Sequence, residues 1–296
     1  MPTIVKPAAI TWGEVLRRTW KEAWEDDILG RSAQLSYYFF LALFPALICI
    51  IAILDIFSCK GESVRNELLE VFSNVLPASA SDLIQKTMNE VSQTAAKSKL
   101  SIGIIFSMWS ASAGMSAIMD TLNAEYEVPE TRSFIRRNAV SIALTVVCAL
   151  LLLAALTIVL AGSSTADAYS GGMMATFLKL VQWPVAIGFM LLDFALIYFF
   201  APNVEHQKWH WITPGAISAL FLWMLASLGL KMYLHFFNLY TATYGSLGAV
   251  IILLLWFYLT GASMLIGAEI NSVIEDAAAK AGAPDAKLKG EFSPQR

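Results

Sequence analysis

Apolar runs of about twenty residues recur along this chain, parted by shorter stretches rich in charge, proline and glycine. Six stand out: Ala33–Phe57, Leu100–Leu122, Val140–Gly162, Val181–Ala201, Pro214–Phe237 and Tyr244–Val273. A hydrocarbon layer about 30 Å thick is crossed by roughly 20 residues of helix. Each unsatisfied backbone group costs several kcal/mol in lipid, so runs of this kind are predicted to be helices. Ten-residue alternating segments, the mark of a membrane β-barrel, do not occur. The expected fold is all-α: a polytopic membrane protein with six transmembrane helices.

The intervening stretches carry patterns of their own. Thr11 followed by Glu14 reads as a capping box opening a helix. Trp12, Leu16, Trp20, Ala23 and Trp24 then share one broad face, with Arg17, Arg18, Lys21, Glu22 and Glu25 around the rest. Such a helix either lies in the membrane interface or packs beneath the bundle. In the long loop after the first run, Val64, Leu68, Val71, Phe72 and Val75 recur at helical spacing up to Pro77, and Leu83, Ile84, Thr87, Met88 and Val91 repeat the pattern. Two amphipathic helices are expected there, forming an outer cap over residues 58–99. Residues 1–31 then make an N-terminal arm, 32–274 the membrane domain, and 275–296, small, charged and containing Pro and Gly, a mobile tail.

Composition sharpens the picture. Of 296 residues, 57% are hydrophobic and 15% charged, against roughly 45–50% and about 25% in soluble domains; mean hydropathy is +0.61. So little charge cannot coat a water-soluble surface of this size. The net charge of −3 gives no basis for binding nucleic acid by bulk electrostatics. Cys49, Cys59 and Cys148 match neither a redox pair nor a zinc site. The first apolar run is too long for a cleaved signal sequence. Lys and Arg gather in the N-terminal arm, at Arg132, Arg136 and Arg137, at Lys208 and in the tail. They are sparser on the other face, so both termini are placed in the cytoplasm.

Ionisable groups inside apolar runs are the candidates for function, because each costs about 2.5–3.5 kcal/mol at the centre of a bilayer. Asp193 sits deep in its run and must face the bundle, pair or carry a proton. Lys231 and His235 follow one turn apart in the fifth run, near enough to its end for Lys to snorkel. These three are candidates for a substrate or proton cavity, with a satisfied helix contact as the plainer reading. Arg132, Arg136 and Arg137 are topology anchors and candidate contacts for anionic headgroups. His206 and His210 read as loop residues, and no metal or cofactor is called for. Gly103, Ser107, Ser110, Ala111, Gly114 and Ala117 form a small-residue stripe that allows close helix approach. Pro45 is expected to kink the first span.

The first run reads AQLSYYFFLALFPALI, the second WSASAGMSAIMDTLNAEYEV with Arg132 and Arg136 after it, and the fifth and sixth carry WITPGAISALFLWM and YTATYGSLGAVIILLLWFYLTGASMLIGAEIN. Taken in order, these resemble the YihY/virulence factor BrkB family of bacterial inner-membrane proteins, from about Trp12 to Ile274. The residues carrying the likeness include Pro45, Gly114, Pro214, Gly215, Tyr244, Gly245, Gly267, Glu269 and Asn271. The resemblance implies a six-helix bundle with cytoplasmic termini, in the bacterial inner membrane. Members have carried the name ribonuclease BN. A zinc nuclease needs clustered His and carboxylate ligands, whereas this chain has three histidines and no HxHxDH motif. The expectation is a non-enzymatic envelope protein handling an anionic or amphipathic, lipid-like substrate. Membrane lipids are its partners, nucleic acid is not, and the sequence sets no oligomeric state. The alternative is an envelope scaffold without a permeation path.

Overall fold

A computed structural model describes residues 10–57, 82, 85–86, 100–168, 173–204, 213–236, 246–282 and 289–290. Among these, seven helices are delimited and no strand occurs: α1 Trp12–Glu25, α2 Ile28–Phe57, α3 Leu100–Glu125, α4 Phe134–Ala168, α5 Met173–Phe200, α6 Pro214–Phe236 and α7 Ser246–Lys280. Four of them, α4 to α7, contain segments long and apolar enough to cross a membrane. Of the cap expected over 58–99, only Asp82, Gln85 and Lys86 are described; all three are helical and exposed. Tyr244, Gly245, His206, His210 and Cys59 lie outside the described residues, as does the side chain of Pro45.

The helices start and stop where side chains satisfy their orphan backbone groups. Thr11 caps α1, its hydroxyl accepting from Glu14 N at 3.3 Å. The second half of the expected capping box is not made, because the Glu14 carboxylate takes Arg18 instead at 2.6 Å. Asp27 adopts a left-handed φ of 52°, tolerable for a short polar residue. Its carboxylate accepts from Gly30 N, so α2 begins ahead of the apolar run. Ser133 opens α4, its hydroxyl accepting from Arg136 N. α3 ends in a Schellman turn, with Val128 N donating to Asn123 O at 2.9 Å and Glu127 N to Ala124 O at 3.1 Å.

Chain neighbours are space neighbours. α2 packs on α3, α3 on α4, α4 on α5, α5 on α6 and α6 on α7, and α7 closes the ring against α2. Met119, Leu122, Leu35 and Leu265 are fully buried at its centre, while Phe221, Leu225 and Leu228 of α6 point outward. α1 lies across one end. Its Val15 packs on Ile270 and Val273 of α7, and Trp12, Leu16, Trp20 and Trp24 remain exposed.

The α6–α7 seam accounts for two of the sequence signatures. Thr213 caps α6 through Ala216 N, with Pro214 at the first helical position, where its missing N–H costs nothing. Asn271 of α7 accepts from Gly215 N at 2.8 Å and donates to Thr213 Oγ1 at 3.0 Å. A side chain on Gly215 would overlap the Gly267 carbonyl oxygen, and one on Gly267 would meet Gly215 O at 2.6 Å. The PGA and GAEIN segments are therefore the two halves of one close crossing. Further along, Trp223 Nε1 donates to Thr260 Oγ1 and Trp256 Nε1 to Ser227 Oγ, a reciprocal pair of indole bonds.

The segment read as a mobile tail begins with more helix. Its Ala-rich start carries α7 on through Lys280, as strong helix formers do. Lys289 and Gly290 are held against the bundle, Gly290 N donating to Tyr126 O at 3.2 Å.

Candidate functional site

Ser112, Ala113, Ser116 and Ala117 of α3 leave a low wall between α2 and α4, and a groove of about 440 Å³ lies there; of these, Ala117 belongs to the small-residue stripe expected from the sequence. Gln34 and Tyr38 of α2, Trp109, Ser116 and Asp120 of α3, and Arg137 of α4 mark its outline. The serines of its floor are satisfied within the protein. Ser116 Oγ donates to Ser141 Oγ at 3.0 Å, and Ser141 Oγ donates to Ser112 O at 2.6 Å. The groove thus has a polar seam without orphaned hydroxyls between apolar lips.

One end is charged. Arg137 Nη2 donates to both Asp120 carboxylate oxygens, at 2.8 and 2.6 Å. Arg137 Nε is buried and has no partner, so the Asp120 pair leaves one donor of the fork unsatisfied. At the other end Trp109 is 68% exposed. From Trp109 to Asp120 the groove runs about 16 Å at the helical rise, half the thickness of a hydrocarbon core of about 30 Å. A volume of this size lies within the usual range for small-molecule sites.

The three arginines divide. Arg137 lines the groove and Arg136 is exposed beside it. Arg132 is spent on the fold: its guanidinium binds Glu130 at 2.7 Å and donates to the terminal carbonyls of α5 at Phe200 and Ala201, complementing the negative end of that helix. Burial works to raise the Glu130 carboxyl, but hydrogen bonds from Arg132 and Asn123 outweigh it and hold it below the ordinary carboxylate value. Asn203 completes this corner, its side chain donating to Pro129 O and Thr131 Oγ1, while its backbone N–H donates to Asn123 Oδ1.

The intramembrane trio does not share the groove. Asp193 is half-buried on α5 against the Cys148 thiol of α4, and its Oδ1 is buried without a hydrogen bond. Lys231 and His235 are exposed on α6, the His235 ring against Phe236. A Cβ on Gly114 would stand 4.0 Å from the Tyr38 carbonyl oxygen, an ordinary contact.

A second polar centre lies where α1, α3, α7 and the tail meet. Lys289 Nζ donates to Glu22 Oε2 at 2.9 Å, Asp26 Oδ2 at 3.0 Å and Glu269 Oε1 at 3.4 Å, with Glu127 at 3.9 Å. Glu125 is fully buried beside them, and neither of its carboxyl oxygens has a partner. Burial, then the neighbouring carboxylates Glu269 and Asp26, push Glu125 well above its ordinary value. Burial opposes ionisation of Glu22 as well, but its hydrogen bonds with Glu269 and Lys289 prevail and lower it. Burial disfavours the charged Lys289, yet the surrounding carboxylates raise it. Sequence reasoning singled out Glu269 only within a motif, and Glu125 and Lys289 not at all. Glu125 did leave one signal: an acidic residue ending a helix, where the dipole disfavours it.

The virulence factor BrkB family model matches residues 19–290. The chain belongs to that family. It is similar to the ribonuclease-like protein YfkH of Bacillus subtilis, 35% identical over 83% of this chain and 89% of the relative. It is also similar to the UPF0761 membrane protein IL2447 of Idiomarina loihiensis, 32% identical over 70% and 71%, and to a UPF0761 membrane protein of Pseudoalteromonas atlantica, 27% identical over 90% and 91%. No solved structure matches. With its apolar helices, the family assignment makes this a multi-pass membrane protein.

Proposed function

We propose that this BrkB-family protein is a non-enzymatic, six-span protein of the bacterial inner membrane, with both termini cytoplasmic, that handles an amphipathic, lipid-like molecule in the α2–α3–α4 groove. The observation carrying this reading is the groove's polarity: a charged Asp120–Arg137 end, an unpartnered Arg137 Nε, and apolar lips beside the serine seam that leads to Trp109. An anionic headgroup would sit at Arg137 and its chain along α3, within one leaflet. α2 has 30 residues and α3 has 26, each more than the roughly 20 a crossing requires, which supports counting them with the four apolar spans. The exposed tryptophans of α1 suit the membrane interface.

The test is the lipid that co-purifies with the protein. Ala113→Trp, on the groove wall, fills the space, and the variant should retain fold and insertion while losing bound lipid. Unchanged lipid content would remove the groove from the account. The scaffold reading draws on the close α6–α7 crossing, and it predicts no specific lipid in either protein.

A further inference from the structure

Lys289 is surrounded as a ligand would be. An ammonium group has three donors, and three carboxylates from different helices or turns, Glu22, Asp26 and Glu269, stand at 2.9, 3.0 and 3.4 Å. The side chain is 12% exposed. Beneath the seat, Glu125 is fully buried with both oxygens unpartnered, and Glu269 Oε2 is unpartnered too. Lys289, with Arg31 as a second nearby positive charge, leaves acceptors unsatisfied, and buried polar groups without partners are costly. Among the described residues, no group of His, Cys, Asp and Glu is arranged to hold a metal ion, so the donors match a hydrogen-bonding cation instead.

We propose that this end of the bundle is a binding site for a primary ammonium group, built by Glu22, Asp26 and Glu269 over the buried Glu125, in which Lys289 of the chain's own tail is the resident occupant that an external amine displaces. A linear polyamine fits: one ammonium takes the Lys289 seat and a second reaches the exposed Glu127 carboxylate, 3.9 Å from Lys289 Nζ. An aminophospholipid headgroup offers the same chemistry from the membrane. The site shares no side chain with the groove, and it stands or falls independently of the proposed lipid handling.

Acylation of lysines in the intact wild-type protein, read by mass spectrometry, tests this. The protein is placed in phosphatidylglycerol nanodiscs, with and without spermidine, and in discs containing phosphatidylethanolamine. Lys21, 74% exposed, is the internal reference. Saturating spermidine should raise Lys289 acylation relative to Lys21 by about tenfold, as expected when a competitor shifts a seat from filled to vacated. Sodium chloride of matched ionic strength should not do so. A rise in phosphatidylethanolamine discs alone assigns the ammonium to the lipid. Glu22→Gln, at the rim of the seat, should blunt the spermidine response. Lys289 shielding that no amine changes, or that salt or magnesium relieves equally well, overturns the proposal. As a second readout, Lys289→Met should lose thermal stability and regain it with added butylamine; absence of amine rescue counts equally against it.

Discussion

Substituting Gly267 by alanine probes the crossing of α6 and α7 directly. A Cβ there would stand 2.6 Å from Gly215 O, 2.6 Å from Tyr198 Oη and 2.7 Å from Ala219 Cβ. The carbonyl and the alanine belong to the facing helix and cannot retreat alone. Only the tyrosine hydroxyl can move, and it then gives up its 2.6 Å bond to Met264 O. Overpacking of this kind costs about 1–3 kcal/mol, the lost hydrogen bond about 1 kcal/mol, and alanine's better helix propensity returns about 1 kcal/mol. The net is a loss of about 1–3 kcal/mol. Gly229 on α6 provides the control, since a Cβ there meets nothing within 4 Å. Gly229→Ala keeps the propensity gain without the clash, so the two variants should differ by about 2–4 kcal/mol. Reversible unfolding in mixed micelles, followed by tryptophan fluorescence, measures both. If Gly267→Ala proves as stable as Gly229→Ala, the close crossing is wrong.

Asn203→Ala removes the two bonds donated by its side chain at the α3–α5 corner and should cost about 1–3 kcal/mol, read in the same unfolding assay. Glu127 holds a φ of 53° at the glycine position of a Schellman turn, so Glu127→Gly should gain about 1 kcal/mol; a loss would mean that its approach to Lys289 matters more than its backbone. Glu125, pushed well above its ordinary value by burial, holds its proton more tightly in the fold than in the unfolded chain. As pH climbs above its unfolded value, the unfolded chain releases that proton and the fold loses stability. Glu125→Gln escapes this loss, so its melting temperature should gain on the wild type as pH rises above the ordinary carboxylate value, and a pH-independent difference would contradict the assignment.

Much of the fold was legible because lipid leaves the backbone few choices: an apolar run of this length must close its own hydrogen bonds. The ends were less legible, since they depend on single capping side chains. Asp27 draws α2 back to Ile28, Ser133 starts α4 at Phe134, and alanines carry α7 through Lys280. The glycine and asparagine motifs were visible as patterns, but only the packed helices reveal that Gly215 and Gly267 face one another. The groove was half legible. Arg137 and Ala117 stood out, whereas Ser112, Ala113 and Ser116 did not, nor did Asp120, because its partner lies on the next helix. The ammonium seat was not legible, for it joins Glu22 to Lys289 across 267 positions, and no local spacing records that.

Photo-crosslinking tests the central claim most directly. Vesicles containing an anionic phospholipid with a diazirine on its acyl chain are irradiated with the reconstituted protein, and the labelled residues are mapped by mass spectrometry. Lipid held in the groove should label Ala113 and Ile142 in preference to Phe221 and Leu228, which are 57% and 56% exposed on the outer face of α6. Arg137→Gln should abolish the preference. Equal labelling of the groove and of α6, unaffected by that substitution, would contradict the account.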